Sequence, residues 1–208
     1  MPRTLQLPPH YFAAEFRAQS YNADDNSIEC VWTAGATVRR MSWMDGPYDE
    51  ELVVSGNAVR LARLNAGAPL LDTHMGYSVA NVLGSVVPGS ARIVGGQGIA
   101  RVALSKAPGD ADAVAKIRDG IVRNVSTGYV YHQVEKTERD GQVPLWRVTD
   151  WEPMELTACP IGADPAAQFR SAEKGAARLF DCQFTGATTA EIARLRLTLA
   201  RRRRLIAA

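Results

Sequence analysis

The stretch Arg123-Asn-Val-Ser-Thr-Gly-Tyr-Val-Tyr-His132 decides how this chain is read. Just before it, Asp110 or Asp112 can cap a helix, and Val114, Ile117, Ile121 and Val122 recur at helical spacing, which predicts a helix over Ala111–Val122. Beyond it, alternation from Val125 to Val134 predicts a strand. Ser126 then stands near the start of that strand, with Gly128 two residues on. A serine so placed is ordinarily a surface hydroxyl, so its meaning depends on the segments on either side.

Downstream, Glu138-Arg-Asp-Gly141 is a hairpin turn of the Asp-Gly type. Leu145–Trp151 returns from it, and Glu155–Cys159 reads as a further strand after Pro153. Upstream, Ile28–Trp32, Thr37–Trp43, Tyr48–Val54 and Val79–Val87 read as strands between turn signals such as Tyr21–Asn26, Asp45-Gly-Pro47 and Pro88-Gly89. Ala91–Val94 and Ile99–Leu104 read as a hairpin around Gly95-Gly96. Ser55 can cap a helix over Ala58–Leu64, and Pro69–His74 is a short apolar run that ends in polar groups. Residues 166–186 show no clear strand alternation, whereas Thr188 or Thr189 can cap a last helix over Ala190–Arg204 with arginines in its final turn. Many short strands and few helices predict an antiparallel β-barrel or sandwich with added helices.

The 208 residues suffice for one domain with a sizeable core, and 46% apolar against 22% charged residues marks a folded body rather than a disordered one. Charge is unevenly spread. Residues 170–208 hold nine Lys/Arg against three Asp/Glu, leaving 15 against 19 elsewhere, so a mildly acidic body carries a basic tail. That balance argues against a nucleic-acid-binding body. The tail, with Arg201-Arg-Arg-Arg204 beside a leucine stripe, suits a solvated or protein-docking helix end better than a phosphate site. Cys30, Cys159 and Cys182 show neither a ligand spacing nor a disulfide framework, which predicts a reducing setting and no metal or other cofactor. The N-terminus has no apolar signal region and no segment reaches membrane-span length, so a soluble cytoplasmic protein, without a membrane partner, is expected.

Three histidines make the search for a general base short. His10 lies in a Pro-rich start. His132 lies six residues from Ser126 on the same strand, roughly 20 Å away at strand rise. His74 closes an apolar run, where a base would sit. A serine hydroxyl needs such a base to become a nucleophile, and a third polar group to orient the imidazole. Glu155, at the head of an otherwise apolar strand, is one candidate for that third role. Asp72, two residues before His74, is its rival, since on a strand the two share a face.

Taken in order, Leu70-Leu-Asp-Thr-His74, Ile121-Val-Arg-Asn-Val-Ser-Thr-Gly-Tyr-Val130 and Met154-Glu-Leu-Thr-Ala-Cys-Pro-Ile-Gly-Ala-Asp-Pro-Ala166 resemble the prohead serine proteases of tailed bacteriophages, over roughly Val53 to Ala167. No one motif is specific. Their order carries the resemblance, with His74 to Ser126 spanning 52 residues and Ser126 to Glu155 spanning 29. The resemblance implies a β-barrel ringed by helices, like the herpesvirus assembly proteases, over residues 1–169, followed by a basic linker and C-terminal helix over 170–208. It implies Ser126 as nucleophile, His74 as base and Glu155 as third member. Three positions depart from the family pattern: Met75 where Asp or Asn is usual, Thr157 where Ser is usual, and Gly162-Ala163-Asp164 for the commoner Pro-Ala-Asn.

The implied function is a serine endopeptidase that processes capsid-assembly proteins inside the assembling procapsid, in the host cytoplasm. Its implied partners and substrates are the phage scaffold, the N-terminal extension of the major capsid protein, and the protease itself through self-association. The rival is a non-catalytic scaffold or capsid-assembly protein that keeps the protease fold, and the departures at Met75 and around Glu155 are its support.

Overall fold

Period-two alternation runs through most of the chain, and the strands it makes join in one sheet. A computed structural model describes residues 3–7, 10–42, 46–160 and 180–185, together with 190, 193, 194 and 197. In chain order the strands are β1 (Arg3–Leu7), β2 (His10–Asn22), β3 (Ser27–Thr33), β4 (Thr37–Ser42), β5 (Gly46–Leu52), β6 (Pro69–Asp72), β7 (Val82–Val86), β8 (Arg92–Val94), β9 (Gln97–Leu104), β10 (Asn124–Thr137), β11 (Leu145–Cys159) and β12 (Phe180–Thr185). Two short helices, α1 (Ala62–Asn65) and α2 (Ala111–Arg118), complete the described elements with two 3-10 turns.

Pairing follows the path β1-β12-β10-β2-β3-β9-β7-β6-β11-β5-β4, with β8 on β9 and a further pairing of β10 with β11. The protein is therefore mainly β, as expected, but the sheet is mixed. β11 runs parallel to β5 and to β6, and β10 runs parallel to β12. The expected ring of helices is also not what the described residues show. α2 stops at Arg118, because Gly120 adopts φ 71° and Ile121 and Val122 turn back to bond the carbonyl of Lys116. The C-terminal helix is represented by Ala190, Ala193, Arg194 and Leu197; its arginine run and residues 161–179 lie outside the described residues.

β1 and β2 form where no strand was read from the sequence, and two further strands differ for identifiable reasons. β12 arises where no alternation was read, yet Cys182 and Phe184 are buried and Asp181 and Gln183 exposed, a short period-two signal flanked by polar residues. It lies between β1 and β10, so the stretch after residue 169 contributes to the same sheet. β11 is one strand rather than two. The expected break at Pro153 is instead an irregularity in register: Gly128 faces Glu155 but Tyr129 faces Pro153, leaving Met154 unmatched.

The core gathers on one face of these strands. Ile28, Cys30 and Trp32 of β3 are fully buried, as are Val125, Tyr129 and Tyr131 of β10. Trp151 lies edge-on to both Trp32 and Tyr129, with ring centroids 6.0 and 5.4 Å apart. Room for the Trp32 ring comes from Gly98, where a Cβ would stand 2.4 Å from the indole. Into this apolar centre the fold places a carboxylate, Glu50, 1% exposed. Tyr129 donates to its Oε1 at 2.5 Å, Tyr131 donates to Oε2, and Arg40 reaches Oε1 at 3.3 Å and the Tyr129 hydroxyl at 3.0 Å. Burial pushes the Glu50 carboxyl above the usual carboxylate range, against the pull of Arg40 and the Tyr129 hydrogen bond. Burial, followed by the Glu50 charge, holds Tyr129 well above the usual phenol range.

Two outcomes follow from this packing. Gly98→Ala drives a methyl into Trp32 and should lower unfolding free energy by about 1–3 kcal/mol, read from urea denaturation. Arg40→Met leaves Glu50 with its hydroxyl donors but no cation, and should cost roughly 3 kcal/mol at neutral pH. A carboxyl whose folded-state pKa is raised stabilises the fold fully below its unfolded pKa, about 4.3, and loses that contribution as pH rises through the folded value. The deficit of Arg40→Met should therefore shrink as pH is lowered toward 4.

Candidate functional site

The site lies on the face of β10 and β11 that points away from the core. On β10, Thr127, Tyr129 and Tyr131 face inward: Thr127 donates to the carbonyl of Trp32 at 2.7 Å and the tyrosines hold Glu50. Alternation then sends Ser126 and Gly128 to the opposite face. Register places Ser126 across from Thr157 and Gly128 across from Glu155, so Ser126, Thr157 and Glu155 share that face. The position opposite the Glu155 carboxylate has no side chain to compete with it. Ser126 is nonetheless 4% exposed, a covered hydroxyl rather than the surface one that a serine at a strand start ordinarily provides.

His74 reaches this face from the neighbouring strand. β6 pairs parallel with β11 through Leu70–Leu156, Leu71–Thr157 and Asp72–Ala158. The strand ends there, and Thr73 and His74 both take left-handed conformations, at φ 50° and 60°. Such angles are rare for a β-branched residue, and two in succession mark a backbone held in place by its surroundings. Met75 N–H closes the turn onto the Asp72 carbonyl at 3.0 Å. The result sets the His74 Nδ1 2.6 Å from Glu155 Oε1, with both side chains largely buried. The other carboxylate oxygen, Oε2, accepts the Thr157 hydroxyl at 2.6 Å.

His74 and Glu155, 81 residues apart in sequence, are thus brought into direct contact, and Ser126 is set on the same face one strand over. Glu155 is the carboxylate that reaches Nδ1. The same-face argument for Asp72 fails, because the strand ends at Asp72 and the two left-handed residues break the alternation before His74. His132 stays with its own partner, Glu152, at 3.3 Å, a carboxylate shared with Arg63 at 3.1 Å. The Gly162-Ala163-Asp164 segment lies outside the described residues.

Sequence reasoning missed two things. Thr157 registered as a departure from serine, not as the second partner of Glu155; register with Ser126, invisible in one sequence, is what shows its place. The Glu50 cluster had no signal beyond an acidic residue in a strand and two tyrosines at alternate positions.

Chemically, a carboxylate accepts only, so its contact assigns the proton to Nδ1 and the accepting lone pair to Nε2. An imidazole in that tautomer, with a serine on the sheet face that carries its carboxylate partner, supplies the residue types used in acyl transfer. No family model matches the chain, and no solved structure matches it. The chain is 34% identical over 120 residues to the major capsid protein of Halomonas phage phiHAP-1. That similarity takes in 56% of this chain and 19% of the capsid protein, so the chain matches less than a fifth of the relative's length.

Proposed function

We propose that this chain acts in phage capsid assembly, and that within that role it is a serine endopeptidase working through Ser126, His74 and Glu155. The first half rests on the similarity to a phage major capsid protein. The second rests on one observation, the 2.6 Å contact of His74 Nδ1 with Glu155 on the face that carries Ser126. A relative with the name of a shell protein fits the non-catalytic reading more directly than the catalytic one, and that reading is the alternative carried forward. Against it stands the cost of the arrangement. A scaffold has no need for two left-handed residues in a row, nor for an imidazole and a carboxylate drawn together out of water.

In the catalytic reading, His74 Nε2 takes the Ser126 proton as Oγ attacks the scissile carbonyl. Glu155 holds the ring and stabilises the imidazolium that results. The imidazolium then protonates the leaving amine, and water, activated by the same nitrogen, releases the acyl group. Peptide substrates would be the scaffold, the extension of the capsid protein, or the chain itself. Confinement of enzyme and substrate in one shell would raise their effective concentration enough for a modest catalyst. We read the supporting sheet as a barrel closed along β10–β11, since β10 pairs both with β2 and with β11, at the two ends of the run β2-β3-β9-β7-β6-β11.

Co-expression with the capsid-assembly proteins of the same phage tests both readings. Ser126→Ala should abolish processing, by at least about 10³-fold, while the protein still folds. Glu155→Gln should slow it roughly 10²- to 10⁴-fold, by removing the negative charge beside the imidazolium and offering Nδ1 an amide that can donate as well as accept. Asp72→Asn should leave it near the wild-type rate. Unchanged processing in Ser126→Ala would remove the protease reading and leave the assembly module.

A further inference from the structure

Thr157 is fully buried, and it stands between the two halves of the site. It lies directly opposite Ser126 in the β10–β11 register and two residues beyond Glu155 on the same face. Its hydroxyl donates to Glu155 Oε2 at 2.6 Å, while Oε1 of the same carboxylate takes the His74 Nδ1. Neither strand propensity nor packing asks for that hydroxyl. Valine has the same shape, the same restricted χ1 and an equal preference for a buried strand. What valine lacks is the donor.

We propose that Thr157 is a positioning residue that acts through Glu155: its hydroxyl pins the second carboxylate oxygen, so that the first is held against Nδ1 and the accepting lone pair of His74 is kept on Nε2. A carboxylate tied at one oxygen can swing about its terminal torsion, which has a broad, shallow profile. Tied at both, it cannot turn away from the ring. Because β-branching fixes the threonine rotamer, the hydroxyl arrives already aimed. The kinetic consequence rests on the protease reading; the chain of contacts from Thr157 to His74 does not.

The test uses the full chain, with diisopropyl fluorophosphate as a serine-directed probe. Ser126 Oγ forms a bond to phosphorus, fluoride leaves, and the serine proton passes to His74. The rate of adduct formation at Ser126 is followed by peptide mass, and the hydrogen-bonded Nδ1–H of His74 is observed by proton NMR, assigned by its loss in His74→Gln. Thr157→Val should move that resonance and slow labelling about tenfold, the loss of one hydrogen bond to a charged group. Thr157→Ser should restore most of both. In a Glu155→Gln background, Thr157→Val should add no further loss, because the two residues act in series. An unmoved resonance, or an equal loss in the Glu155→Gln background, would overturn the inference. If Thr157→Val moves the resonance but wild-type Ser126 reacts no faster than in His74→Gln, the contact chain stands and the protease reading is what fails.

Discussion

Everything at the site depends on the antiparallel pairing of β10 with β11. It is the ladder that carries Ser126 past Thr157 and Gly128 past Glu155, and the one onto which β6 delivers His74 from the far side. Side chains alternate across a strand, so a slip of one residue would replace Ser126 by Thr127 on the outer face and drive the serine into the core. The inner face forbids that slip. Thr127 is tied to the carbonyl of Trp32, and Tyr129 and Tyr131 are tied to Glu50. The outward residues are in register because the inward ones are hydrogen-bonded.

This gives the buried Glu50 cluster a role other than stability. A buried ion pair adds little net stabilisation, because desolvation consumes most of the Coulombic gain. It does add specificity of position. Four polar groups from β4, β5 and β10 have to meet at one point inside an apolar core, and no shifted pairing satisfies them all. The interior network and the outer constellation therefore share one strand and one registration.

Much of the fold could be read from the chain, and the site only in part. The hairpin about Gly95-Gly96 and the start of α2 follow from local chemistry, positive-φ glycines and a helix spacing. The strand holding Ser126 was also read, although Val125 to Tyr131 are buried without the alternation of buried and exposed residues that a half-buried strand shows. The mixed direction of the sheet could not be read, because parallel or antiparallel pairing depends on which distant strands meet. β12 was missed because its alternation of Cys182 and Phe184 with Asp181 and Gln183 follows a stretch rich in Ala, Gly and charge. His74, Ser126 and Glu155 were named from the order of their segments, but which of Glu155 and Asp72 meets the imidazole could not be read without the backbone at Thr73 and His74, where side-chain alternation stops. Thr157 shows the same limit: one sequence states which residues are near in number, and the register states which are near in space.

The unmatched Met154 has a consequence of its own. Inward residues on β11 fall on odd positions at Trp151 and Pro153, and on even positions at Leu156 and Ala158. The irregularity between them changes the parity of the strand, and that change is why Glu155 faces outward at all. Loss of the Met154 codon would leave these facings as they are, because Pro153 inward, Glu155 outward and Leu156 inward would then alternate without a break. The irregularity thus absorbs one extra residue without turning the site over, so the spacing ahead of the glutamate can differ by one between chains of this kind while its facing stays the same.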